Sequence, residues 1–272
     1  MLGESATYYS DSRSSIKVNR RQLNTVDRPI FFCHLPKTGG TSLRLALEAS
    51  VRPHEIIPDA YMMARSGGHY PDIALVMENV VRQRSSVRLL RGHYHLSVRK
   101  LLTNPITIAV LREPVSRVIS NLKHNIQYNG HTAEAILEDL SKGITRGVAT
   151  NAMTRYLSGD VGLMHPSNIN QLHHHLLYGP IGNEQARLKS AIAALETIDV
   201  LGLAENLDEI SLKLAKLGLS IPPTRRANVS KSGLLKLNDN HKERIREMNL
   251  LDVALYEEAK KRYANTSILD RG

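Results

Sequence analysis

The sequence has a single cysteine and no long apolar run. Because Cys33 is the only cysteine, no disulfide can form within the chain, and the composition suits a reducing compartment. No apolar run approaches the roughly 20 residues that span a bilayer, and the polar N-terminus lacks the apolar core of a signal peptide. We therefore expect no integral membrane segment, and we interpret Cys33 as a small core residue.

Acidic residues are also few, with 26 Asp and Glu against 36 Lys and Arg and a net charge of +10. A basic surface attracts polyanions such as nucleotides or acidic glycans, although it can also serve solubility alone. The chain lacks a helix-turn-helix, an RNA-binding aromatic motif and a zinc finger, so we predict no nucleic-acid partner. The adjacent His173, His174 and His175 do not share a face of a helix or strand, so we predict no metal site there.

The apolar pattern predicts one α/β domain at 28–272 that follows a polar N-terminal tail at 1–27. Short apolar segments predict strands at 30–35, 87–90, 106–111 and 198–203. Helical spacing predicts helices at 73–84, 132–142, 151–159, 185–195, 239–249 and 252–263, with two more that begin at Pro114 and after Asn206.

The first strand runs into a glycine turn and then a helix, which is the arrangement that holds a phosphate. Glycines let the backbone wrap an anion, helix N–H groups point at it, and Lys and hydroxyl side chains add donors. The candidate nucleotide-phosphate residues are Lys37, Thr38, Gly39, Gly40, Thr41 and Ser42.

This turn is not a Walker A motif, because Lys37 precedes both glycines instead of following the second. A lysine on the strand side of the turn should reach closer to the bond between the bound phosphate and the group that is transferred. The alternative is an ordinary strand-to-helix turn with an exposed lysine.

His93 and His95 follow the predicted strand at 87–90. Polar residues at the carboxyl end of a strand lie at the ligand crevice of an α/β sheet, and histidine can accept a proton from a hydroxyl. We favour His93 as the functional residue and a structural role for His95. A turn after Gly92 would separate the two side chains.

The strand at 106–111 runs directly into Arg112, and a helix should start at Pro114. Arg112 at the strand end and Ser120 two turns into the helix can approach one anion, which predicts a second phosphate site. The alternative makes Arg112 a structural ion-pair partner and Ser120 a packing residue. A basic loop at 221–233 is either a solvated loop or a further anion contact.

With both phosphate motifs in place, the sequence resembles sulfotransferases that use 3′-phosphoadenosine 5′-phosphosulfate (PAPS). It is most similar to the carbohydrate group that includes the heparan and uronyl 2-O-sulfotransferases and their bacterial relatives. The resemblance is carried by HLPKTGGTSL at 34–43 and LREPVSRVISNL at 111–122. Weaker support comes from RGHYHLS at 91–97, TRYLSG at 154–159, VLGLAENLDE at 200–209 and LYEEA at 255–259.

The resemblance implies a P-loop NTPase-like, three-layer fold with a central parallel sheet flanked by helices. It implies that residues 37–42 cradle the 5′-phosphosulfate, with Lys37 near the bridging oxygen, and that Arg112 and Ser120 bind the 3′-phosphate. His93 matches the catalytic base. Relatives often have a second histidine two residues earlier, where this chain has Arg91. The loop that closes over the nucleotide in relatives matches a segment with Asn228, Lys231 and Ser232.

The sequence therefore predicts in-line sulfuryl transfer from PAPS to a hydroxyl of a glycan or glycolipid, without a metal. The alternatives are a P-loop-type small-molecule kinase and a non-catalytic module that binds a nucleotide or an acidic glycan. Residues that select the acceptor are expected in the loops at 51–84 and 160–182. Eukaryotic members of the group usually have an N-terminal Golgi anchor. The sequence shows no such segment, so we expect a soluble cytoplasmic enzyme of a bacterium.

Overall fold

The structure is a computed structural model that describes residues 28–145, 148, 150–162, 168–222 and 233–269, with side chains up to Tyr263. The predicted tail at 1–27 and the predicted nucleotide-covering residues Asn228, Lys231 and Ser232 lie outside these ranges.

The described residues form an α/β fold around a five-stranded, fully parallel sheet. Its spatial order is β2-β3-β1-β4-β5, which puts the first strand in the centre. The strands are β1 (Ile30–Cys33), β2 (Ile56–Ile57), β3 (Leu89–Gly92), β4 (Ile106–Leu111) and β5 (Val200–Leu203).

Helices cover the sheet on both faces, as a parallel sheet requires. Eleven α-helices lie in the described residues: α1 (Gly40–Ala49), α2 (Ala60–Arg65), α3 (Ile73–Arg82), α4 (Pro114–Tyr128), α5 (Ala133–Ser141), α6 (Ala152–Leu157), α7 (Ile169–Tyr178), α8 (Glu184–Leu195), α9 (Leu207–Lys216), α10 (Asp239–Glu247) and α11 (Leu250–Leu269). Short 3₁₀ turns add Pro53–Glu55, Leu96–Leu101 and Ala204–Asn206.

Alternation along β1 divides the core between the two faces of the sheet. Ile30 and Phe32 pack in a cluster with residues of α1 and α9. Phe31 and Cys33 pack on the other face with residues of α3, α6, α8 and α11. Cys33 is fully buried, as predicted, and burial raises the pKa of its thiol. Since apolar side chains cover both faces, the strand reads in the sequence as one unbroken apolar run.

The predicted strands all exist, but their ends differ where neighbouring strands decide them. β1 stops at Cys33, two residues before the predicted end, because its partners β3 and β4 pair with it only that far. β3 lies at Leu89–Gly92 instead of the predicted 87–90, because those are the residues that pair with β1. The loops predicted near residue 60 contain β2 and α2, which are too short for a periodic signal.

None of the helices in these ranges combines the length and apolar composition that a bilayer crossing requires.

Candidate functional site

Several of the predicted site residues lie at the carboxyl edge of the sheet. The glycine turn follows β1, His93 follows β3 and Arg112 follows β4. Because β1 lies between β3 and β4, its turn is flanked by both strand ends. The parallel register therefore brings together three segments that are far apart in the sequence, at the edge where α/β proteins bind ligands.

The turn after β1 has a constrained backbone. Lys37 has a φ of 66° and Gly39 a φ of 81°, both in the left-handed region. A non-glycine residue with positive φ is uncommon and often marks a functional segment. The Thr38 hydroxyl is buried and donates to the Leu35 carbonyl at 3.0 Å. Thr38 therefore secures the turn with its side chain, and only its backbone is left to contact an anion.

Gly40 starts α1 against the ring of His34. A Cβ atom on Gly40 would lie 2.4 Å from Cδ2 of His34, much closer than real contacts allow. The absence of a side chain at Gly40 thus lets the first helical turn rest on the imidazole. The sequence explained this glycine by the approach of an anion, and the structure adds a packing reason. In the same turn, Thr41 is partly exposed and Ser42 is buried.

Arg112 contacts the same turn from the β4 side. Its Nη1 donates to the carbonyl oxygen of Lys37 at 3.1 Å. Burial lowers the pKa of the Lys37 ammonium, and the positive charge of Arg112 lowers it further. Two cations are therefore held close together at the helix N-terminus, an arrangement that a polyanion stabilises.

Carboxylates are also near Arg112, but they bond to the protein. Glu113 caps α4 by accepting from the amides of Val115 and Ser116 at 3.0 and 2.7 Å. Glu205, after β5, accepts from the Glu113 amide at 3.2 Å and from the Tyr256 hydroxyl at 3.0 Å. Both carboxylates therefore stabilise the frame around Arg112.

Ser120 lies partly buried on α4, two turns from its start. No direct hydrogen bond joins it to Arg112 in the described part of the chain, so the shared phosphate site stays a prediction. One turn further along α4, His124 has a pKa lowered by burial and then by the charge of Lys37. The sequence gave no reason to single out His124.

His93 has a defined tautomer. Its Nδ1 lies 2.6 Å from the carbonyl oxygen of His34. A carbonyl can only accept, so Nδ1 carries the proton and Nε2 of the neutral ring has a lone pair. Burial lowers the pKa of His93 to about 4. The hydrogen bond to His34 raises the pKa, and the charges of Lys37 and Arg44 make smaller contributions that lower it. At neutral pH the ring is therefore uncharged and able to accept a proton.

His95 is a structural residue, as the sequence analysis favoured. Its Nδ1 accepts from the Ser97 amide at 3.1 Å, and its Nε2 lies 2.9 Å from the Ser158 carbonyl oxygen. The side chain is fully buried. The chain turns after Gly92, and His95 caps the short helix at Leu96–Leu101. Both ring nitrogens are engaged, which leaves none for a substrate.

A second histidine does accompany His93, but it comes from β1. The rings of His34 and His93 are 4.6 Å apart. Nδ1 of His34 lies 3.1 Å from the Tyr70 hydroxyl, and the Tyr70 ring packs edge-on against His93 at 4.7 Å. The sequence analysis did not single out His34, because the predicted strand at 30–35 contained it, whereas β1 ends at Cys33 and leaves His34 directly after the strand.

Arg91, two residues before His93, bonds to a residue of α1. Its Nε donates to Glu48 at 2.6 Å, and Arg44 donates to both oxygens of the same carboxylate at 2.8 and 3.0 Å. The Arg91 side chain is 6% exposed. Glu48 therefore bonds to two arginines whose charges lower the pKa of His34.

His93 opens onto a cleft of about 520 Å³. The loops at 51–84 and 160–182, expected to select the acceptor, both contribute to its wall. The first supplies Tyr70 and Asp72, and the second supplies Asn170, His173 and Tyr178 on or next to α7. Within the described ranges, no group of three or more His, Cys, Asp or Glu side chains is arranged to hold a metal ion.

No protein-family model matches this chain, and no curated protein matches it either.

Proposed function

We propose that the chain is a PAPS-dependent sulfotransferase that transfers the sulfuryl group to a hydroxyl of a glycan or glycolipid. The observation that carries the proposal is the fixed tautomer of His93. Its Nδ1–H is bonded to the His34 carbonyl, so the neutral ring keeps a lone pair on Nε2. His93 lines the cleft and lies close enough to Lys37 of the glycine turn for that charge to lower its pKa. A base beside an anion site is what sulfuryl transfer to a hydroxyl requires.

The other side of the turn supports the donor site. Lys37, Arg112 and the N-terminus of α1 provide cationic and N–H donors and suit a nucleotide with two phosphate positions. The negative charge of PAPS matches these cationic residues, and PAPS supplies the activated sulfuryl group. The glycine turn after a central parallel strand also supports a P-loop NTPase-like fold.

In this proposal Nε2 of His93 takes the proton from the acceptor hydroxyl. The hydroxyl oxygen forms a bond to sulfur while the bond from sulfur to the bridging phosphate oxygen breaks, and the electron pair leaves with 3′-phosphoadenosine 5′-phosphate. Lys37 and the amides of α1 stabilise the charge that grows on the leaving phosphate. The His34 carbonyl holds the ring of His93 and stabilises its protonated form.

The kinase alternative requires a carboxylate that binds Mg²⁺ after a strand. In the described residues, Glu113 and Glu205 are the carboxylates that follow β4 and β5 near Arg112, and both accept hydrogen bonds from protein donors. Their engagement favours the sulfotransferase over the kinase.

Calorimetric titration tests the donor site. Wild-type protein and Arg112→Ala are titrated with 3′-phosphoadenosine 5′-phosphate, with 5′-AMP and with ATP plus Mg²⁺. We expect wild type to bind the 3′-phosphorylated nucleotide most tightly. Loss of the Arg112 hydrogen bonds to a phosphate should weaken that binding by roughly 10- to 100-fold, with a smaller effect on 5′-AMP.

Arg99→Ala is the matched control, because Arg99 also donates to a backbone carbonyl, that of Thr197 at 2.7 Å, but belongs to the 3₁₀ turn at Leu96–Leu101 and does not bond to the glycine turn. It should bind all three nucleotides as the wild type does. Binding of ATP as tight as that of the 3′-phosphorylated nucleotide, with no effect of Arg112→Ala, would sink the sulfotransferase proposal and favour the kinase.

A further inference from the structure

The cleft contains a second histidine whose tautomer is fixed by the backbone. The amide of His95 donates to Nε2 of His173 at 3.1 Å. An amide nitrogen can only donate, so this Nε2 carries a lone pair and the proton of the neutral ring lies on Nδ1. His173 lines the cleft, where its ring packs near Tyr94 at 6.0 Å between centroids.

The ring is neutral under ordinary conditions. Burial lowers the pKa of His173 to about 4, the neighbouring His174 lowers it further, and Asp72 opposes both. With Nε2 engaged, Nδ1–H is the remaining polar group of the ring. At neutral pH His173 therefore brings a hydrogen-bond donor, and not a base, to the cleft.

His173 and His93 thus have opposite polarities. His93 donates through Nδ1 to the His34 carbonyl and keeps a lone pair on Nε2. His173 accepts through Nε2 from the His95 amide and keeps a proton on Nδ1. One ring can only accept from a ligand and the other can only donate to it. A hydroxyl group is both a donor and an acceptor, so the two rings together offer hydrogen-bond partners of both kinds to the hydroxyl groups of a polyhydroxylated ligand.

The other residues that line the cleft also suit a sugar ligand. Tyr70, Tyr94 and Tyr178 supply aromatic surface, and ligand sites generally combine such surface with a few placed polar groups. The neighbouring His174 is exposed and packs near Tyr178 at 5.0 Å between ring centroids. Among the three adjacent histidines, His173 is the one whose ring nitrogen accepts from the His95 amide.

We propose that His173 is a specificity-determining residue whose Nδ1–H donates to a second oxygen of a polyhydroxylated acceptor. The first oxygen is that of the hydroxyl whose proton goes to His93, so this inference rests on the proposed function. The two rings together would select a sugar over a simple alcohol and would set which hydroxyl faces the donor.

Two replacements separate the two nitrogens of His173. His173→Gln places an amide oxygen near the position of Nε2, so it keeps an acceptor for the His95 amide but loses the donor at Nδ1. His173→Asn places an amide N–H near the position of Nδ1 and loses the acceptor. A role limited to holding the His95 backbone would make the glutamine variant the better one, and our proposal predicts the reverse.

Transfer from PAPS to octyl β-D-glucopyranoside and octyl β-D-galactopyranoside provides the first readout, with 1-octanol for comparison. For the better glycoside we expect His173→Gln to raise KM about 3- to 10-fold, the effect of one neutral hydrogen bond, with kcat within about twofold. His173→Asn should restore most of the KM. An unchanged KM in His173→Gln together with a raised KM in His173→Asn would overturn the proposal.

The tautomer provides a readout that needs no reaction. Long-range ¹H–¹⁵N spectra of protein with ¹⁵N-labelled histidine should show the His173 proton on Nδ1, with the signal assigned by its loss in His173→Gln. A proton on Nε2 overturns the inference whatever the activity. If wild type sulfates none of the probes, the proposed function fails, and the subsite is judged by saturation-transfer NMR of octyl glucoside, whose binding His173→Gln must weaken.

Discussion

The two sides of the β1 turn differ in how their polar groups are prepared. On the β4 side, Lys37 and Arg112 are cations held close together at a helix N-terminus. On the β3 side, His34 and His93 are imidazoles whose pKa values are lowered by burial, so both are neutral. The first side is suited to a permanent polyanion and the second to moving a proton. The lowered pKa values keep both rings uncharged at neutral pH, whereas the closely spaced Lys37 and Arg112 favour binding of an anion.

Both sides depend on carbonyl groups of the same turn. Its His34 carbonyl accepts from His93 at 2.6 Å, and its Lys37 carbonyl accepts from Arg112 at 3.1 Å. The backbone of this one segment therefore sets the positions of His93 and Arg112 together. Changes on either side test whether the two tasks are separable.

The largest effect is expected from His93→Ala. Removing a general base costs about 10²- to 10⁴-fold in kcat, while the affinity for 3′-phosphoadenosine 5′-phosphate should stay unchanged because Lys37 and Arg112 remain. Steady-state kinetics and calorimetry measure the two quantities. His54→Ala, an exposed histidine change outside the cleft, is the control. Equal turnover in His93→Ala would remove this residue from the mechanism.

The next largest effect is expected at the ion pairs that Glu48 forms with Arg44 and Arg91. Glu48→Gln leaves the nearly buried Arg91 without its ion-pair partner, and Nη1 of Arg91 already has no hydrogen-bond partner within the described residues. Breaking such a pair should lower the free energy of unfolding by about 3 kcal/mol, measured by urea denaturation. Glu78→Gln, which breaks the exposed pair with Arg82, should cost under about 1 kcal/mol. Equal losses would show that Glu48 has no special role.

Acid should affect the imidazole side. The pKa values of His93, His95 and His173 are each lowered to about 4 by burial. Between that pKa and the unfolded value near 6.5, the unfolded state binds more protons, so stability is full above pH 6.5 and falls toward pH 4. Each proton taken up contributes a slope of up to about 1.4 kcal/mol per pH unit.

Urea denaturation at pH 7.5, 6 and 5 measures this slope. Lys37 and Arg112 remain charged in the window, so nucleotide affinity should change less than stability does. A stability that stays constant from pH 7.5 to 5 would contradict the neutral burial of these rings.

The smallest effect is expected from Tyr70→Phe. This change removes the hydroxyl beside Nδ1 of His34 but keeps the ring that packs against His93. Loss of one neutral hydrogen bond should cost about 0.5–1.5 kcal/mol of stability and lower kcat only a few-fold. The exposed Tyr61→Phe is the matched control. A loss of kcat as large as that of His93→Ala would instead assign a proton-transfer role to the tyrosine.

Much of the fold was predictable because long local patterns specify it. The strand at Ile106–Leu111 and the helix that starts at Pro114 have the predicted positions, since a continuous apolar run and a proline at the first helical position are local signals. β2 has two residues and could not show a period. The end of β1 at Cys33 is the point where its pairing with β3 and β4 stops, and no local pattern contains that pairing.

The candidate site divides in the same way. The glycine turn, His93 and Arg112 follow strands directly, so strand ends alone identified them. His173 lies on α7, in the stretch at 160–182 that the sequence analysis expected to be an acceptor-selecting loop, and the amide of His95 bonds to its ring. Residues that act through contacts between distant segments leave no periodic trace in the sequence.

The sequence by itself determined the alternation of strands and helices, the glycine turn after the first strand and the polar residues at the strand ends. Tertiary structure decided which nitrogen of each histidine carries the proton and which carboxylates are engaged. It also made His34, and not Arg91, the neighbour of His93. The physical reason is that periodicity and turn chemistry act over a few residues, whereas tautomers, burial and ion pairs depend on atoms that folding brings together.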